Sequence, residues 1–155
     1  MGAEIERKFL VKGEYRSLAQ GKSHIVQGYL FADARKTIRI RLRDDKAYVT
    51  IKGPSADNGL SRFEWETEIR VADAQVMMAL CEPGLIDKDR YLIPYEGHVF
   101  EVDEFHGENE GLVIAEVELK SPVEEVALPS FIGAEVTGDK RYYNSHLREK
   151  PFVQW

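Results

Sequence analysis

The chain has 155 residues, 43% of them hydrophobic, enough for one globular domain with a sizeable core, and its 21 basic and 27 acidic side chains leave a formal charge of −6. That balance excludes the broad basic footprint of a non-specific nucleic-acid binder, and Cys81, the sole cysteine, excludes an intrachain disulfide and a cysteine-cluster metal site. No apolar run reaches the roughly 18 residues that mark a membrane span, and charged residues stand where a signal peptide would be apolar, so a cytoplasmic protein with no membrane partner is expected.

Alternating apolar and polar residues, rich in β-branched and aromatic types, predict strands near 3–12, 23–32, 36–44, 46–53, 60–71, 85–95, 97–106 and 112–121. The connections are short. Asp44-Asp45 reads as a tight hairpin, Gly53 to Gly59 as a loop, and Tyr95 to His98 and Gly107 to Gly111 as turns, so sequential strands pair antiparallel. Ala72 to Leu80 predicts a crossover helix before Pro83-Gly84. Asp139 to Arg148 predicts a second helix with Thr137 as its cap, and Val123 to Leu128 a short helical turn. Without an internal repeat or a long linker, residues 1–155 read as a single domain.

Four of the strand segments carry charge at every second position: Glu4, Glu6 and Lys8; Arg39, Arg41 and Arg43; Glu64, Glu66 and Glu68; Glu116 and Glu118. Residues at that spacing project from one face of a strand. An ordinary antiparallel sheet with one wet face also alternates. Such faces tend to mix signs, because like charges directly opposite one another destabilise a sheet. If these rows turn inward, eight strands can close around a small ligand, and the apolar rows then face outward and need helices to cover them. The expected fold is mainly β (α+β): an eight-stranded antiparallel closed barrel, a tunnel, with a few flanking helices.

Arginine forks grip phosphate oxygens through paired hydrogen bonds, so Arg39, Arg41 and Arg43 suit a polyanion such as a small-molecule triphosphate. Lys8, Lys52, Lys88, Arg90 and Lys140 add charge from other strands and from the C-terminal helix. Glu4, Glu6, Glu116 and Glu118 are hard oxygen ligands suited to Mg2+ or Mn2+, with Asp103 a further candidate. Glu64, Glu66 and Glu68 can either bind metal or pair with the arginines and hold their forks in position, and the second role is favoured. His24, His98, His106 and His146 show no metal-site spacing, and Cys81 reads as a buried, inert thiol. Neither a Ser-His-Asp set nor a glycine-rich phosphate loop is present.

The blocks Glu4-Ile5-Glu6-Arg7-Lys8, Arg39-x-Arg41, Thr50-Ile51-Lys52, Gly59 to Glu66, Lys88-x-Arg90-Tyr91, Glu116-Val117-Glu118 and Val136-Thr137-x-Asp139-Lys140-Arg141-Tyr142 resemble, in order and over nearly the full chain, the CYTH superfamily, also called triphosphate tunnel metalloenzymes. The first block matches that family's ExExK signature. The resemblance implies an eight-stranded antiparallel tunnel, dependence on a divalent metal and chemistry on triphosphate compounds. Family activities include hydrolysis of inorganic tripolyphosphate, hydrolysis of nucleoside or thiamine triphosphates, and cyclisation of ATP. The chain is most similar to the compact bacterial members, which implies hydrolysis of tripolyphosphate. Glu4, Glu6, Lys8 and Tyr29 are then expected at the reaction centre, and the phosphate chain on Arg39, Arg41, Lys52, Lys88, Arg90 and Lys140. Metal is expected on Glu4, Glu6, Glu116 and Glu118, with Arg43, Glu64, Glu66 and Asp103 in support. The alternatives are a class IV-type adenylate cyclase, a nucleoside or thiamine triphosphatase, and a non-enzymatic polyphosphate or nucleotide binding module. Apolar outward rows left uncovered would also allow a homodimer.

Overall fold

The strand alternation produces one sheet that closes on itself in the computed structural model, which describes residues 2–155. Strands β1 (Gly2–Val11), β2 (Gly21–Ala32), β3 (Thr37–Arg43), β4 (Lys46–Ala56), β5 (Ser61–Ile69), β6 (Ile86–Tyr95), β7 (His98–Phe105) and β8 (Val113–Glu118) lie in the order β5-β4-β3-β2-β6-β7-β8-β1. Closure comes from β1, whose residues Gly2 to Ile5 pair antiparallel with Glu64 to Ser61 of β5. A ninth strand, β9 (Ile132–Glu135), is not legible in the sequence. It adds to β1 at Phe9 and Val11.

Register carries the charge rows inward. Glu116 of β8 lies between Lys8 of β1 and Glu101 of β7. Arg39 and Arg41 of β3 lie opposite Tyr29 and Gln27 of β2, and Asp103 of β7 opposite Arg90 of β6. The outward rows are apolar and covered in two ways. Helix α1 (Val71–Ala79) packs Ala74, Met77 and Met78 over Ile40 and Ala47. The remaining outer face buries Phe9, Phe100, Val102 and Val117 beneath Tyr15, Leu119 and Phe131, which come from non-helical segments. Each such fully buried aliphatic or phenyl group contributes about 1.5–3 kcal/mol.

Three local expectations are corrected. Residues 123–128 are not helical: the chain runs irregularly and packs Val126 onto the core. The segment read as a loop from Gly53 mostly continues β4 to Ala56 through a bulge between Lys52 and Ser55. The C-terminal helix is broken into a 3-10 turn, Lys140–Tyr142, and a short helix α2 (Asn144–Leu147). Asp139 caps that turn by accepting from Arg141 N, while the Thr137 hydroxyl accepts the Lys8 backbone N–H at 2.9 Å. Thr137 therefore completes the hydrogen bonding of β1 rather than capping a helix.

The break directs Tyr142 and Leu147 onto Ile86, Phe105 and Ile114, the inward residues at one end of the barrel, and forms an apolar plug. Beside it the turn at Gly59 meets the turn at Gly138. A Cβ on Gly138 would stand 2.2 Å from the Asn58 carbonyl oxygen, and its φ of +81° already disfavours any side chain. Among the described residues no helix is long and apolar enough to cross a membrane.

Gly138→Ala is expected to destabilise the fold by about 3 kcal/mol or more, and Gly107→Ala, where φ is positive but the space is open, by about 1 kcal/mol. Equal losses for both variants in urea denaturation would show that the contact between the turns contributes nothing.

Candidate active site

The inward rows enclose a cavity of about 240 Å³ lined by Glu4, Glu6, Lys8, Tyr29, Thr37, Arg39, Arg41, Arg43, Lys52, Arg62, Glu64, Glu66, Lys88, Arg90, Glu101, Glu116 and Glu118, together with residues 137, 138 and 143–145. Its charges are divided by strand. Cations concentrate on β3 and β6, and carboxylates on β1, β8 and β5.

On the cationic wall Arg39, Arg41, Lys88 and Arg90 are all buried. Burial, then repulsion from Arg39 and Arg90, pulls the Arg41 guanidinium down to about 9. Burial also pulls Lys88 down to about 7: Asp103 opposes the shift, while Arg90 and Arg41 reinforce it. Asp103 is the more deeply buried of this wall's counter-ions: it accepts from Arg90 Nε and Nη2 at 2.8 and 2.9 Å and lies 2.8 Å from Lys88 Nζ, while Glu116 lies 3.8 Å from Arg90 Nη2. Despite burial, Arg90 and Lys88 keep the Asp103 carboxyl below the usual range. Arg39 donates to Thr50 Oγ1 at 3.0 Å and lies 3.4 Å from Glu66. Arg39 Nε and Arg62 Nε are buried N–H groups without a partner among the described residues. Unpaired donors on cavity-lining arginines suit an anionic oxygen.

The acidic wall is equally self-repelling. Burial, then Glu116 and Glu4, pushes the Glu6 carboxyl well above its ordinary value, and Glu6 shares a hydrogen bond with Glu116. Glu116 shows the opposite result: burial raises it, but Lys8, the Glu6 hydrogen bond and Arg90 hold it well below normal. Burial, Glu4 and Glu101 raise Glu118. Lys52 outweighs the burial of Glu4 and lowers its carboxyl, with Nζ 2.8 Å from Glu4 and 3.5 Å from Glu64. Lys8 is buried, which lowers its ammonium, yet Glu116 and Glu6 raise it overall.

A set of hard oxygen donors whose charges repel one another fits a divalent cation. No cluster of three acidic, histidine or cysteine side chains among the described residues forms a metal sphere by itself. A magnesium-like ion needs only one or two carboxylates when substrate phosphates and water complete its octahedron.

Most residues expected in the site line this cavity, with three exceptions. Lys140 is exposed and faces an adjoining rim cavity, because the 3-10 turn directs Tyr142 inward instead. Asp103 lies behind the cationic wall, fully engaged by Lys88 and Arg90, so its place is that of a counter-ion rather than a metal ligand. Glu68 is exposed and forms no ion pair among the described residues. The sequence reading missed Arg62, which lies two residues before Glu64, and Gln27, two before Tyr29. Extending those rows by one step would have found both. It also missed Thr37, Glu101, Tyr143 and Asn144. The last two sit in an aperiodic segment, so spacing held no signal for them. Cys81 is half-buried, with its thiol pushed up by burial. His24 and His106 pair with Asp87 and Asp89, which alternate with the inward Lys88 and Arg90.

The model of the CYTH domain matches residues 2–143. The chain is 51% identical over 154 residues to an inorganic triphosphatase of Acetivibrio thermocellus, covering 98% of this chain and 97% of that protein. It is 36% identical over 152 residues to an inorganic triphosphatase of Nitrosomonas europaea, covering 93% and 95%. A crystal structure of an inorganic triphosphatase superposes with a TM-score of 0.68 at 31% identity, covering 96% of this chain and 95% of that one.

The raised Glu6 carboxyl yields a stability prediction. Above the unfolded value near 4.5 the folded chain either retains a proton or holds a desolvated, repelled carboxylate, and both penalise folding; below it both states are protonated and the penalty vanishes. Glu6→Gln is therefore expected to raise Tm at neutral pH in the presence of a chelator, with the gain disappearing below about pH 4.5. A gain independent of pH in scanning calorimetry would contradict this electrostatic account.

Proposed function

The chain belongs to the CYTH domain family, and we infer that it is a divalent-metal-dependent inorganic triphosphatase that cleaves a terminal phosphoanhydride of tripolyphosphate. The observation that carries this reading is the pairing of two self-repelling walls inside the cavity of one closed barrel. A polyphosphate relieves the cationic wall and a divalent cation the acidic one, so the two bind most favourably together.

Glu6 and Glu116, with Glu4 and Glu118 alongside, would hold Mg2+ or Mn2+. When bound, such an ion neutralises phosphate oxygens and lowers the pKa of a coordinated water. Arg39, Arg41 and Arg90 hold the phosphate chain through paired N–H donors, contributing alignment and neutralisation of charge in the transition state. Asp103, the neighbour of Arg90 on the adjacent strand, holds Arg90 and Lys88 in place, which leaves their remaining N–H groups for phosphate oxygens. Lys8, kept charged by Glu116 and Glu6, lines the cavity beside the acidic wall, where its ammonium would neutralise a phosphate oxygen. Tyr29 lines the same cavity and is buried; its hydroxyl can donate to a phosphate oxygen. Water adds to the terminal phosphorus, the bridging P–O bond breaks, and pyrophosphate leaves with the bonding electron pair.

In a phosphate-release panel with Mg2+ or Mn2+, tripolyphosphate is expected to be turned over faster than pyrophosphate, ATP or thiamine triphosphate. Glu116→Gln should lower kcat about a hundredfold or more, by removing a ligand of the Lewis acid, and Arg41→Ala should raise KM about tenfold, the value of one charged hydrogen-bond donor. Cyclic AMP as the product from ATP would reassign the chain as a cyclase, and metal-independent binding without release would reassign it as a binding module.

A further inference from the structure

The carboxamide of Asn144, the first residue of α2, reaches the cationic wall from outside the barrel strands. Its Oδ1 accepts from Lys88 Nζ at 2.8 Å and from Gln27 Nε2 at 3.2 Å. Gln27 is fully buried, and its Oε1 accepts from Arg41 Nε at 2.9 Å while its Nε2 also lies 3.3 Å from the Tyr29 hydroxyl. The orientation of both amides is forced by chemistry. An arginine Nε–H only donates, so Gln27 must turn its oxygen to Arg41 and its NH2 to Asn144. A lysine ammonium also only donates, so Asn144 must present its oxygen to both neighbours.

We propose that Asn144 is a positioning residue for the phosphate-binding wall, a neutral acceptor that orients Lys88 directly and Arg41 through Gln27 without cancelling their charge. This rests on the tripolyphosphatase reading above. Lys88 and Arg90 already share one carboxylate, Asp103. A second carboxylate would satisfy the same donors, but it would lower the positive potential that attracts a polyanion. An amide oxygen supplies direction alone. The same short helix bears Asn144 at the wall and Leu147 in the apolar plug, so one segment both closes the end of the barrel and contacts the wall.

The decisive variant is Asn144→Asp. Aspartate is favourable at a helix start, so the substitution leaves Tm near the wild-type value and isolates the effect of charge at the wall. A role as neutral acceptor predicts KM for tripolyphosphate and its calorimetric Kd in chelator each rising about tenfold, because the added carboxylate keeps the donors in place but cancels part of the wall's positive charge. Asn144→Ala, lacking the acceptor, is expected to lower kcat/KM by about ten- to a hundredfold, mainly through KM, with Tm within a few degrees of wild type. Wild-type KM and Kd in the aspartate variant would overturn the inference, as would losses in the alanine variant that merely follow a lowered Tm. If wild type released no phosphate from tripolyphosphate, the functional reading would fail, while the comparison of Kd values would still decide the role of Asn144. If wild type did not bind tripolyphosphate, both would fail.

Discussion

Like charges buried side by side are the constraint on which this structure depends. A guanidinium or carboxylate removed from water loses several kcal/mol of hydration, and its neighbours of the same sign add to the cost in a medium of low dielectric. The molecule accepts this on two facing walls and offsets it with few internal counter-ions: Asp103 beneath Lys88 and Arg90, Lys52 between Glu4 and Glu64, and Lys8 against Glu116. Those pairs leave the depressed Arg41 and the raised Glu6 uncompensated, and in the proposed function a polyanion and a cation complete them. The site is therefore poised by its own electrostatic imbalance.

Such an interior can exist only because the apolar contacts lie on the outside of the barrel. Phe9, Phe100, Val102 and Val117 turn away from the cavity and are buried under Tyr15, Leu119 and Phe131, while α1 does the same over β3 and β4. The barrel thus reverses the usual arrangement of a small closed sheet, whose interior is filled by its own side chains. It keeps that conventional filling only at the plug, where Ile86, Phe105 and Ile114 meet Tyr142 and Leu147. Function and stability are in this way assigned to opposite faces of the same strands, and residues one position apart serve opposite ends.

The strands were legible because a period of two is a local property: Glu4, Glu6 and Lys8 share a face whatever else the chain does. The same locality allowed the inward turn of the rows to be argued, since an arginine row and a glutamate row are poorly suited to one wet face. It could not place Lys140, because one broken helical turn determines whether Lys140 or Tyr142 faces the barrel, and that choice rests on Tyr142 burying its ring in the plug. Nor could it find the hydroxyl of Thr137 on β1 or the strand at Ile132–Glu135, which exist through pairing with residues more than a hundred positions away.

By itself, then, the amino-acid sequence determined which side chains share a row, the sign of each row and hence the polyanion-and-cation character of the cavity, because alternation and charge need no knowledge of distant partners. The tertiary structure alone decided which carboxylate is enclosed among cations and which keeps an acidic neighbour, and which polar groups from the C-terminal segment reach the cationic wall. Asp103 and Glu116 are both acids in strand rows, and only the register that sets one behind Lys88 and Arg90 and the other beside Glu6 gives them different work.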